Sequence, residues 1–141
     1  MKANKMILFI FLSVLCLGCA STDQVESEHF IFIKNETGED ISVTFKRADT
    51  ELYTKKFSIK MGEKIKTFWS SGLEGEFLMD YDSAFVSYKE KILSDTLKTN
   101  TNSLLNLSSY TQSVISANKK MTSYEYLFIL DGDYIDEYLK E

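Results

Sequence analysis

The stretch Ile41-Ser42-Val43-Thr44-Phe45-Lys46 places a β-branched or aromatic residue at every second position and a small polar or charged one between them. A period of two belongs to a strand with one face buried and the other wet. Just upstream, Phe30-Ile31-Phe32-Ile33 is a β-branched and aromatic run, closed by the turn chemistry of Asn35-Glu36-Thr37-Gly38. These two runs are expected to pair as a hairpin, with Gly38 supplying a positive φ. Downstream, Tyr53 to Lys60 alternates again with Phe57 and Ile59 inward. Met61-Gly62-Glu63 then turns the chain into Lys64 to Trp69, and Glu76 to Tyr81 offers a further short strand after Gly72 and Gly75. Strand candidates spaced about 12 residues apart, with glycine in the turns between them, predict a sandwich or barrel.

The stretch from Ala84 to Lys98 fits two readings. Phe85, Tyr88 and Ile92 have helical spacing, with Asp82 or Ser83 as cap; the same residues also divide into strands Ala84–Tyr88 and Lys91–Lys98 around Lys89-Glu90. The β-rich surroundings favour strands. Thr99 to Ser103 reads as a polar loop, Leu104–Tyr110 and Gln112–Ala117 as weak strands, and Asn118-Lys119-Lys120 as a turn. The last strand is the strongest. Tyr124, Tyr126, Phe128 and Leu130 share one face, and Leu127 and Ile129 on the other predict a central, doubly covered position. After it, Asp133 is placed to cap a short helix whose stripe is Tyr134, Ile135, Tyr138 and Leu139. The expected fold is therefore mainly β: one small antiparallel β-sandwich, or partly open barrel, over residues 29–141, ending in a short C-terminal helix.

Ahead of that domain stands an N-terminal segment of different character. Lys2 and Lys5 precede an apolar run from Met6 to Leu17, and Gly18 and Cys19 follow it. A positive region, an apolar core and a small residue in that order make a signal peptide over residues 1–18. The apolar run is shorter than the ~20 residues a spanning helix needs. Leu15-Cys16-Leu17-Gly18-Cys19 resembles the lipobox of bacterial lipoproteins, in which a small residue precedes the cysteine that receives diacylglycerol. The resemblance implies cleavage after Gly18 and lipid attachment at Cys19. It departs from the usual pattern three residues before the cysteine, where Cys16 stands in place of a branched aliphatic. Cys16 is the poorer acceptor, because bulky Leu15 would then occupy the cleavage position. Residues 19–28, beginning Cys19-Ala20, read as a lipidated cysteine and a polar, acidic tether. In diderm bacteria an Asp after the cysteine retains a lipoprotein at the inner membrane; Ala20 there implies passage to the outer membrane. The whole chain resembles small cell-envelope lipoproteins.

Both cysteines lie in this targeting segment, so the domain has no disulfide and depends on its core. Without Lys2 and Lys5, 14 basic residues face 21 acidic ones, a net charge of −7 that argues against a nucleic-acid partner. The basic residues concentrate between Lys46 and Lys66 and the acidic ones after Tyr124. Lysines there serve either as guards of exposed strand edges or as a patch for an anionic partner.

Side chains with catalytic chemistry are sparse. His29 is the only histidine, and its place beside the tether suits a surface residue better than a member of a triad. Asp131-Gly132-Asp133 lacks the fifth and sixth positions of a calcium loop, where Ile135 and Asp136 stand. Asp80 and Asp82 are two close carboxylates with no cleft to identify them as a hydrolytic pair. Trp69, before Ser70-Ser71-Gly72, is the candidate aromatic platform, unless it fills the core with the other aromatic rings, and Lys55 and Lys56 are the candidate charges. No cofactor and no metal are expected. The sequence thus leads to an envelope lipoprotein held to a membrane by Cys19. Its domain is expected to bind without catalysis, or to act structurally, with another envelope protein, a glycan or a host component as partner. Two other classes stay open: a carboxylate-dependent hydrolase of envelope polymers, and an inhibitor or immunity-type periplasmic protein.

Overall fold

The alternation along Ile41 to Lys46 does build a strand, and its odd-numbered residues enter the core: Val43 and Phe45 are fully buried. The computed structural model describes residues 26–48, 50–72, 81–96 and 102–139. Gly18, Cys19, Asp80 and most of the strand expected over 76–81 lie outside the described residues. The strands are β1 (Glu26–Asn35), β2 (Ile41–Arg47), β3 (Thr50–Ile59), β4 (Lys64–Ser71), β5 (Ser83–Tyr88), β6 (Lys91–Asp95), β7 (Thr111–Ala117) and β8 (Met121–Leu130), followed by helix α1 (Gly132–Leu139). They form two packed four-stranded sheets, β4-β1-β8-β7 and β3-β2-β5-β6. The fold is thus a mainly β sandwich with one short C-terminal helix. Among the described residues no helix is long and apolar enough to cross a membrane.

The stretch between Ala84 and Lys98 resolves into strands β5 and β6, and Lys89 takes a positive φ of 53° at their turn. Where the two sheets face each other, Ile31, Ile33, Val43, Phe45, Val86, Tyr126 and Phe128 are buried. The Phe45 ring meets those of Phe57, Phe68 and Tyr81 at 6.3, 5.0 and 5.6 Å in edge-on contacts, a geometry that aromatic quadrupoles favour.

Several expectations need correcting. β1 and β2 do not form a hairpin: β1 pairs with β4 and β8, β2 with β3 and β5. Gly38 has the expected positive φ of 84°, but the turn carries the chain from one sheet to the other. Asn35 directs that crossing. Its buried amide nitrogen donates to the carbonyls of Glu39 at 2.7 Å and Ile59 at 3.0 Å, and its oxygen accepts from the backbone N–H and hydroxyl of Thr37. One pairing, β1 with β8, is parallel. Leu104–Tyr110 is not a strand. Asp95 takes the Leu104 N–H and the Ser103 hydroxyl, Asn106 takes the Ser108 N–H, and the chain closes into a 3₁₀ turn at Leu107–Ser109. Local side-chain hydrogen bonds have replaced the ladder there.

β8 is central in its sheet, as its pattern predicted, yet its second face is uncovered: Ile129 is 39% exposed. The helix cap is Asp131 rather than Asp133, its carboxylate accepting the Tyr134 N–H at 3.0 Å. Finally, the sheet begins before His29. The Glu26 N–H donates to the Lys120 carbonyl at 2.9 Å, so residues 26–28, read as tether, are part of β1.

Candidate functional site

The two outward faces of the sandwich differ in chemistry. Register and burial place Ser42, Thr44, Ser58, Ser87 and Ser94 on the outward side of β3-β2-β5-β6, with Phe85 and Ile92 among them. The outward side of β4-β1-β8-β7 carries an apolar cluster among Lys34, Lys64, Lys66 and Glu125. Trp69 on β4 sits opposite Phe30 on β1, and Phe32 and Lys34 on β1 pair with Leu127 and Ile129 on β8. Trp69 is 54% exposed, while Phe30, Phe32 and Leu127 are half-buried. Scattered exposed apolar side chains are ordinary; here they lie next to one another across three neighbouring strands.

An irregularity in β4 creates this surface. Strict alternation from Ile65 would send Trp69 inward and Phe68 outward. Instead Lys66 is the partner of Phe32 and Phe68 the partner of Ile31, so Thr67 is an extra residue in the ladder. Its hydroxyl donates to the Ile31 carbonyl at 3.3 Å. The bulge reverses the facing after it: Phe68 enters the core and Trp69 faces out.

Lysines border the patch. Lys66 Nζ lies 5.4 Å from the centre of the Phe30 ring and Lys64 Nζ 4.4 Å from that of Phe32. Lys64 also pairs with Glu125 at 2.6 Å. Ammonium groups over ring faces are held by the ring quadrupole, at about 0.5–1 kcal/mol each when exposed.

The three residues singled out from sequence do not share one surface. Trp69 belongs to the apolar face. Lys55 is in register with Phe45 on the inward row of β3 and reaches over the Phe68 ring at 5.6 Å. Lys56 is in register with Thr44, on the outward side of the other sheet. Phe30, Phe32 and Leu127, which join Trp69, read in the sequence as ordinary strand residues.

Two polar clusters lie inside the sandwich. His29 is not at the surface; it is 3% exposed and stacks on Tyr124 and Tyr126. Its Nε2 faces the Gly72 carbonyl at 3.0 Å and Ser27 Oγ at 3.1 Å, and Nδ1 faces the Tyr126 hydroxyl at 3.3 Å. A carbonyl only accepts, so Nε2 carries the hydrogen and Nδ1 accepts from Tyr126, whose oxygen in turn accepts from Gln112. The nitrogen near Ser27 is then a donor, with no lone pair to activate that hydroxyl. His29 joins β1, β8 and the end of β4.

Asp95, fully buried, accepts from Ser103 Oγ at 2.8 Å, the Leu104 N–H at 2.7 Å and the Tyr134 hydroxyl at 3.2 Å. Burial pushes its carboxyl above the usual range, against the opposing effect of these hydrogen bonds. Burial, and then the nearness of Asp95, push the Tyr110 and Tyr134 hydroxyls up. The cluster ties α1 and the 102–105 loop to β6. Asp82 serves similarly, its carboxylate accepting the Ala48 N–H at 2.9 Å. An opening of about 520 Å³ beside the β5–β6 turn is lined by Tyr88, Lys89, Glu90, Lys91 and Leu139. Among the described residues, Glu90 is the carboxylate in its lining.

No protein-family model matches the chain, and no curated protein or solved structure matches it.

Proposed function

We propose that the chain is a membrane-anchored lipoprotein of the bacterial cell envelope, whose sandwich is a non-catalytic binding module. Cys19 carries the lipid, residues 20–25 are the link, and the domain presents the outward face of β4-β1-β8-β7 for contact. The observation that carries the binding half is that face: Trp69, Phe30, Phe32, Leu127 and Ile129 are contiguous in register across three strands. The lipobox-like Leu15–Cys19 carries the anchoring half. Each buried CH₂ adds ~0.8 kcal/mol, so two or more acyl chains hold a protein on a bilayer stably.

Cys19→Ser tests the anchor. The wild-type protein is expected in the membrane fraction, with a mass raised by diacylglycerol on Cys19; the variant is expected unlipidated and released by washing. A variant that stays membrane-bound at the wild-type mass sinks the anchoring half. The binding half is read from the single tryptophan. In native envelope membranes Trp69 should be shielded from acrylamide relative to the detergent-solubilised protein, and equal quenching in both counts against this face.

A further inference from the structure

We infer that the partner of this face is the bilayer that holds Cys19: the β4-β1-β8-β7 sheet lies against the headgroup layer, with Trp69, Phe30 and Phe32 in contact with lipid. The inference rests on the lipoprotein reading and adds to it the orientation of the domain.

Its first support is where the link ends. Seven Cα steps separate Cys19 from Glu26, a reach of about 25 Å at full extension. The chain then enters β1 directly, and β1 supplies Phe30 and Phe32 to the face. Phe30 is four residues into the strand, about 13 Å along it. The link is therefore shorter than the ten-residue strand it leads into, which spans ~33 Å. A domain held so closely meets the lipid surface as an intramolecular partner, at an effective concentration of about the millimolar order. Modest contacts then suffice.

The second support is the chemistry of the two outward faces. Tryptophan suits the boundary between headgroups and acyl chains, having a large apolar body and one polar N–H. Lys64 and Lys66 hold their ammonium groups over the Phe32 and Phe30 rings, so cations stand beside the aromatic contact where a headgroup phosphate would lie. The charge is nearly balanced, since Lys34 pairs with Glu36 and Lys64 with Glu125. The aromatic contact, not the net charge, decides the orientation, and it should change little with salt. The opposite face is mostly hydroxyl-bearing. Asp133, Asp136 and Glu137 sit on α1, which packs against β6 of that other sheet.

The test uses the full-length lipidated protein in vesicles of phosphatidylethanolamine and phosphatidylglycerol with brominated acyl chains. Trp69 emission should shift to the blue and be quenched relative to unbrominated vesicles. A second variant, Trp69→Phe with Phe85→Trp, moves the probe to the outward side of the other sheet. Its emission should stay open to acrylamide and indifferent to bromine. The inference is overturned if Trp69 ignores brominated lipid, or if both probes are quenched alike. It is equally overturned if Trp69 is shielded in native envelope membranes but not in vesicles, which would assign the face to another envelope component. Vesicle flotation and the mass of the Cys19 peptide report on the anchor separately, so loss of lipidation is distinguishable from a wrong orientation.

Discussion

At the scale of single residues, two buried polar side chains hold most of the irregular backbone. Asn35 fills all of its main hydrogen-bonding roles, donating twice and accepting twice. Asn35→Ala leaves the carbonyls of Glu39 and Ile59 and the Thr37 donors without their partner, at a cost of about 2–3 kcal/mol. Asn35→Asp should cost more, because a carboxylate oxygen would face the two carbonyls that the amide hydrogens now meet. Urea unfolding checks the order, and an aspartate milder than the alanine would refute this account of the turn. Asp95 predicts a pH effect. Its folded-state carboxyl titrates above the unfolded value of 3.8. Between the two values the folded protein keeps a proton that the unfolded chain has released. The group's contribution therefore falls as pH rises through that window and is level above it. Asp95→Asn retains an acceptor for Leu104 and Tyr134 and should remove this slope. Asp95→Ala orphans three donors and should cost about 3 kcal/mol. Urea midpoints of wild type and Asp95→Asn across the acidic range decide it: a constant difference between them would exclude Asp95 as the source.

At the scale of elements, the bulge in β4 is the device that presents Trp69. Thr67 is the surplus residue between the partners of Phe32 and Ile31, so deleting it should join Lys66 to Phe68 in a regular ladder without changing which way any later residue faces. The deletion is expected to cost about 1–2 kcal/mol, from the buried contacts of Thr67, and to leave Trp69 emission solvent-exposed. A blue-shifted, acrylamide-protected Trp69 in the deletion variant would show that the facing does not depend on this register. Elements whose reason is local were legible in the sequence. Ile41 to Lys46 and Tyr124 to Leu130 alternate visibly, and the strands over 84–95 follow once a β environment is assumed. The bulge was not legible, because Lys64 to Trp69 looks the same whether Thr67 is paired or surplus. The burial of His29 was equally hidden: its hydrogen-bond partners Gly72 and Tyr126 lie 43 and 97 residues away. That Trp69 is exposed was one of two readings its place before Ser70-Ser71-Gly72 allowed, the other being a core ring. The residues that make a surface of it come from other strands, and Lys55 and Lys56 belong elsewhere.

At the scale of the whole molecule, the parallel pairing of β1 with β8 governs how the sandwich closes. Ten consecutive residues, Glu26 to Asn35, pair with Met121 to Leu130, each with the residue 95 positions on. Neighbouring runs in the sequence were expected to pair as a hairpin, yet β1 bypasses β2 and takes its central place only when the last strand arrives. Ordering the whole intervening loop precedes the gain from that contact, which places folding in the millisecond-to-second range typical of non-local β topologies. Removing the end of the chain should then cost far more than one edge strand. A protein ending at Ala117 loses Tyr126, Phe128 and Leu130 from the core, detaches β7 from its ladder partner β8, and removes the Tyr134 that meets Asp95. The β3-β2-β5-β6 sheet would retain its ladder but expose Val43, Phe45 and Val86. The second layer is then reduced to the β1-β4 pair, too little to cover the four-stranded sheet and close a core. The truncated chain should be protease-sensitive throughout and lack a cooperative urea transition, whereas the full chain unfolds in one transition and refolds with a single exponential. Protection persisting over residues 41–95 of the truncated chain, measured by hydrogen exchange, would show that the two sheets are independent units and that the β1–β8 pair does not control the fold.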